Sequence, residues 1–113
     1  MISVAVRLSP DNLIGALDCS GHAGFSWKGT DLVCAAFTIL LRTFVRTCER
    51  LPEAGFQVRE DRSGSFRLQF DSVPSDNVEQ FRGSCWFFLQ GVDDLARDFP
   101  EQVSISYSQA SGR

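Results

Sequence analysis

Four cysteines and a single histidine are the residues of this 113-residue chain best equipped for covalent chemistry. Cys34 follows His22 by twelve positions, and Gly21, Gly24 and Gly29 surround the histidine. A thiol becomes a nucleophile when it ionises, and imidazole is the side chain suited to moving protons near neutral pH. Together they can carry acyl transfer, with the thiolate attacking a carbonyl and the imidazolium protonating the leaving group. Cys19, Cys48 and Cys85 are the competing thiols. No CxxC pair occurs, and one histidine cannot complete the usual structural zinc spacings, so neither a metal site nor a cofactor is expected.

Whether Cys34 can ionise depends on where the element carrying it begins. From Leu32 the apolar residues Val33, Phe37, Leu40, Leu41, Phe44 and Cys48 recur at spacings of three and four, which predicts an amphipathic helix. Thr30 or Asp31 is its natural N-cap, and Pro52 ends it. Arg42, Arg46 and Arg50 then fall toward the negative end of its dipole. Cys34 lies in the first turn, where unpaired backbone N–H groups and the positive dipole end favour a thiolate. Amides around Cys34 and Ala35 can donate to the oxyanion of a tetrahedral intermediate. The same spacing puts Asp31, Cys34 and Thr38 on one stripe. Asp31 either caps the helix or orients His22.

The remaining segments supply a frame for that helix. Ile2, Val4, Val6 and Leu8 alternate with smaller or polar residues, as in a half-buried strand, and Ser9 to Asn12 offers turn chemistry before a second strand over 13–20. Gly21 to Gly29 has no periodicity and reads as a loop. Segments 56–60 and 65–70 flank Asp61-Arg62-Ser63-Gly64 as a hairpin, with Phe66, Leu68 and Phe70 on one face. A second helix opens at Pro74 to Asp76, with Asp76 and Glu79 spaced as a capping box. Its stripe of Val78, Phe81, Cys85, Phe88, Val92, Leu95 and Phe99 runs to Pro100. A last strand covers 103–107. The order β-β-α-β-β-α-β is an α+β pattern, helices on a mostly antiparallel sheet. It forms one domain over 1–113 with a frayed tail at 108–113.

Residue physics alone leaves two readings open. A cysteine in an apolar helix is usually a small buried hydrophobe, and a loop histidine is usually polar surface. Cys48 and Cys85 lie on core stripes, while Cys19 is either core or the rival thiol to Cys34. Phe25 and Trp27, apolar residues in a glycine-rich loop, either pack on the core or line a substrate groove.

Bulk properties narrow the setting. A formal charge of −3 without a Lys/Arg stripe argues against direct nucleic-acid binding. No apolar run approaches the roughly 20 residues that span a bilayer, and no leader pattern follows Met1. A cytoplasmic protein with reduced thiols is the resulting expectation.

The stretch Ser20-Gly21-His22-Ala23-Gly24, followed by Gly29-Thr30-Asp31-Leu32-Val33-Cys34-Ala35-Ala36, resembles the ribosomal-processing cysteine protease family Prp, also known as YsxB-like proteins. The family pattern is a GHA motif, a short variable loop and then G-x-D-[IL]-V-C-[AS]-[AG], and the resemblance extends over nearly the whole chain. It implies a Cys–His dyad, with Cys34 as nucleophile and His22 as general base. Gly21 and Asp31 would be accompanying motif positions, and the loop from Ala23 to Gly29 a flap over substrate. It further implies a homodimer that removes a short N-terminal extension from the large-subunit ribosomal protein L twenty-seven. Cleavage in an aromatic-rich segment would give Phe25 and Trp27 a use. Thr38 departs from the family, which often carries Ser at that position. A non-catalytic module that binds a ribosomal protein is the competing reading.

Overall fold

The computed structural model describes residues 1–21, 32–61 and 64–109. The alternating first segment becomes β1 (Ile2–Leu8), which buries Ile2, Val4 and Val6. Asn12 takes a positive φ of 63° in the turn that follows, a conformation asparagine tolerates better than most residues. The chain returns as β2 (Ile14–Ser20), antiparallel to β1. Next come helix α1 (Leu32–Glu49), strands β3 (Gly55–Glu60) and β4 (Phe66–Ser72), helix α2 (Val78–Asp98) and strand β5 (Val103–Gln109).

The five strands form one sheet in the order β3-β4-β2-β1-β5, antiparallel throughout except where β5 lies parallel to β1. Register aligns Val6, Leu17 and Leu68 across three strands, and Val4, Cys19 and Phe66 one step further along. All six are buried, so they mark the face that both helices cover. The opposite face is polar, with Arg67 paired to Asp18 at 2.6 Å in direct cross-strand register. The α+β expectation holds: two helices on a mostly antiparallel sheet.

The helices run antiparallel, since Phe44 stacks on Phe88 at 4.7 Å while Leu40, one turn earlier in α1, reaches Gly91, nearly one turn later in α2. Phe70 extends this aromatic centre to Phe81 at 4.6 Å and Phe56 at 5.5 Å. Each buried ring removes a large apolar area from water, worth about 1.5–3 kcal/mol, and together they clamp the helices to the sheet. Neither described helix is long and apolar enough to cross a membrane.

Three local expectations are corrected. The Asp76–Glu79 capping box does not form. Ser75–Asn77 makes a 3-10 turn, Asn77 precedes α2 without a side-chain cap, and Glu79 pairs with Arg82 at 3.4 Å. Asn77 instead donates to the carbonyl of Pro52 at 2.7 Å, tying the start of α2 to the turn after α1. At the other end of α2, Phe99 leaves the apolar stripe. It takes φ −131° and ψ 61° and is 44% exposed, because the residue before a proline is pushed out of helical geometry. Finally, Ser108 and Gln109, assigned to the frayed tail, belong to β5 and pair with Arg7 and Leu8, while Gln109 also bonds Ser9 and Asn12. Residues 110–113 of that tail lie outside the described residues.

Candidate active site

Helix α1 starts at Leu32, which makes Cys34 its third residue and places it in the first turn, as the hydrophobic periodicity predicts. The first turn of a helix is the positive end of its dipole, which favours a thiolate there.

Burial separates the four thiols. Cys34 is half-buried and packs against the edge of the core. Cys19 is 1% exposed, and Cys48 and Cys85 are fully enclosed. Burial, with a smaller contribution from the Asp18 carboxylate, pushes the Cys19 thiol up to about 12. Burial also drives Cys48 to about 12, helped by Cys85 and Glu49, and Cys85 to about 11 against small opposing effects from the Ile14 backbone and Arg82. Thiols held this far above neutrality are inert hydrophobes. Cys19, the sequence-level rival, faces into the core between Val4 and Phe66 and is excluded as a nucleophile.

Thr38 is 3% exposed, and its hydroxyl donates to the carbonyl oxygen of Cys34 at 2.8 Å. The hydroxyl is thus tied to the backbone beneath the thiol, an i−4 bond common for helical threonines. Gly21, which directly precedes His22, has φ +96°, and a Cβ there would collide with the Met1 carbonyl oxygen. Only glycine fits a positive φ against another backbone at such close range. His22, Phe25, Trp27 and Asp31 lie outside the described residues.

The same end of the molecule gathers several elements. Gly21 abuts Met1 and Ile2, and the Ile2 amide donates to the Gln102 carbonyl at 2.8 Å. Gln102 in turn belongs to the turn between α2 and β5, which faces Leu32 and Val33 across a cavity of about 700 Å³. The sequence does not announce this cavity, because Phe99 reads as helix interior until Pro100 is seen to displace it. Among the described residues no group of three or more His, Cys, Asp or Glu side chains is placed to hold a metal.

Known proteins share this fold. A Bacillus subtilis ribosomal processing cysteine protease Prp is 28% identical over 114 residues, spanning 94% of this chain and 96% of the relative. The Staphylococcus aureus ribosomal processing protease Prp, solved with a covalently linked product peptide, superposes with a TM-score of 0.79 at 19% identity, covering 96% of this chain and all of that one. A Streptococcus mutans protein superposes with a TM-score of 0.81 at 23% identity, covering 97% and 99%. These two structures establish a shared fold. The model of the family described as cysteine protease Prp matches residues 1–104, a span that contains β1 to β4, both helices, the start of β5 and the half-buried Cys34. The chain is therefore a member of the cysteine protease Prp family.

Proposed function

We propose that this protein is a cysteine endopeptidase that removes the short N-terminal extension of ribosomal protein L twenty-seven, with Cys34 and His22 as its dyad. The observation that carries the reading is the contrast among the thiols: three are enclosed in the core, and Cys34 alone is half-buried in the first turn of a helix. A relative that holds a product peptide covalently, and the same relative with a substrate peptide, fit a nucleophilic mechanism on a peptide bond.

In that mechanism Cys34 Sγ attacks the scissile carbonyl carbon, and the oxygen takes up the negative charge facing the amides of the α1 start. The tetrahedral intermediate expels the amine, which takes its proton from the His22 imidazolium, and a thioester to Cys34 remains. Water then loses a proton to His22 and attacks the thioester, releasing the carboxylate product and the thiolate. Gly21 holds the chain against Met1 just before the base, and Asp31 serves as helix cap or as partner of His22. Phe25 and Trp27 meet the aromatic residues of the substrate. The protein acts in the cytoplasm as a homodimer, and the exposed Ile39 and Phe87 on the outer helix surface provide apolar area for such a contact.

A single-turnover assay tests the reading. A peptide spanning the extension junction should be cut by the native protein and by neither Cys34→Ala nor His22→Ala. Cleavage that survives Cys34→Ala rules out Cys34 as the nucleophile, and a native protein that only binds the peptide points instead to a non-catalytic module. Sedimentation equilibrium at micromolar concentration checks the dimer.

A further inference from the structure

The cavity beside the start of α1 has a chemical character that the dyad does not use. One wall is Leu32 and Val33, the two residues just before Cys34, and the other is the turn from Asp98 to Gln102. Two carboxylates, Asp98 and Glu101, line it together with the apolar Leu32, Phe99 and Pro100, and no described lining residue is cationic. Arg97 adjoins it in sequence and pairs with Asp94 at 2.8 Å and, more weakly, with Asp98 at 3.7 Å, while Glu101 has no ion pair among the described residues. Helix α2 ends at Asp98, so the negative end of its dipole adds to the carboxylates.

Apolar exposure is as informative as the charge. Leu32 is 80% exposed and Phe99 44% exposed, large side chains left in water at the mouth of a cleft. A lysine or arginine side chain suits both features at once. Its methylene stem covers Leu32 and Pro100, its head reaches Asp98 and Glu101, and the Phe99 ring offers a face to the cation. A small hard cation would leave the apolar walls uncovered and would find two carboxylates among the described lining residues, and an acidic or purely aliphatic side chain would leave those carboxylates repelled or desolvated.

Because Val33 both lines the cavity and adjoins Cys34, a substrate residue seated there lies close in sequence to the bond being cut; an extended chain advances about 3.3 Å per residue. We infer that the cavity between Leu32 and the Asp98–Gln102 turn is a specificity subsite that takes a basic side chain of the substrate, within a few residues of the scissile bond. The inference rests on the reading of Cys34 as the nucleophile of a peptidase.

The test uses peptides spanning the extension junction in which every charged residue is replaced by Gln and one Lys is then restored at each position flanking the cleavage site in turn. At one position Lys should raise kcat/KM by about tenfold over the neutral peptide, the worth of one partly desolvated ion pair, through KM rather than kcat. Added salt should shrink the effect. In Asp98→Asn/Glu101→Gln the ratio of Lys to neutral peptide should fall to near one, and in Glu101→Lys a peptide with Glu at that position should be preferred. Cleavage of all peptides without a charge preference, or a preference that survives the double variant, overturns the subsite and leaves the peptidase standing. Fluorescence anisotropy with labelled peptides on Cys34→Ala keeps the two readings apart. If nothing is cleaved but the Lys peptide binds tighter and the double variant loses that advantage, the subsite stands as a binding site and the peptidase reading fails.

Discussion

The hydroxyl of Thr38 donates to the carbonyl of Cys34, 2.8 Å away, so the residue one turn below the thiol is bonded to the backbone of the residue that carries it. That carbonyl also lies in the helical ladder, so losing the hydroxyl leaves it a partner. Thr38→Val should therefore cost only about 1 kcal/mol in urea denaturation. Thr38→Ser keeps the bond and loses a buried methyl, for a cost of about 1 kcal/mol by a different route. The two variants separate in activity. Thr38→Ser should retain most peptide cleavage and Thr38→Val should lose more, because only serine keeps the second bond that steadies the first turn. Equal losses would show that the methyl, not the hydroxyl, matters.

Alkylation kinetics should single out Cys34. At neutral pH iodoacetamide should add one label to the native chain, at Cys34, before any reaches Cys19, Cys48 or Cys85, whose thiols are enclosed and pushed up to between about 11 and about 12. In denaturant all four should react alike. Peptide mapping that finds Cys19 labelled first would contradict its place between Val4 and Phe66.

Gly21→Ala should be among the most damaging small substitutions in the chain. The new methyl would collide with the Met1 carbonyl oxygen at a φ of +96°, so β1, β2 or the segment before His22 must move. A loss of more than about 2 kcal/mol is expected from the combined clash and strain, read as a drop in Tm, together with reduced cleavage at temperatures where the variant is still folded.

Much of this architecture is legible in the residues, and the places where it is not share a cause. Periodicity locates β1, α1, the hairpin and α2 because Val4, Val6, Phe37, Phe44, Phe81 and Phe88 all answer to one demand, burial on one face. Cys34 falls in the first turn for the same reason. What pattern cannot foresee is competition among polar groups for distant partners. Asn77 finds the Pro52 carbonyl instead of leaving Asp76 to build a capping box, and Gln109 reaches Ser9 and Asn12, extending β5 into residues whose composition suggests a tail. Phe99 belongs to the apolar stripe by spacing, yet Pro100 turns it outward to the cavity mouth. The burial of Cys19 likewise depends on cross-strand register with Val4 and Phe66, which no local pattern specifies.

Stability should decline at alkaline pH because of the same enclosed thiols. In the folded chain Cys19, Cys48 and Cys85 stay protonated well above 9, the value for an ordinary thiol, whereas in the unfolded chain all three ionise near that value. Their stabilising effect is thus complete below pH 9 and is lost as pH rises toward about 11 to about 12. The unfolded state holds fewer protons in this window, so the free energy of unfolding falls with pH. Tyr107 acts in the same direction, since burial and the Asp93 carboxylate, which accepts its hydroxyl at 2.9 Å, raise its ionisation above the ordinary tyrosine value. Each thiol contributes up to about 1.4 kcal/mol per pH unit. Urea titrations at intervals from pH 8 to pH 11, with a phosphine reductant present, should show a slope of up to three protons from the cysteines. Cys48→Ala should lower the slope by about one of them even though it also lowers the overall stability. A slope unchanged in that variant would mean that the thiol at position 48 already ionises in the folded protein, and that the seal between α1, α2 and the sheet is looser than its burial indicates.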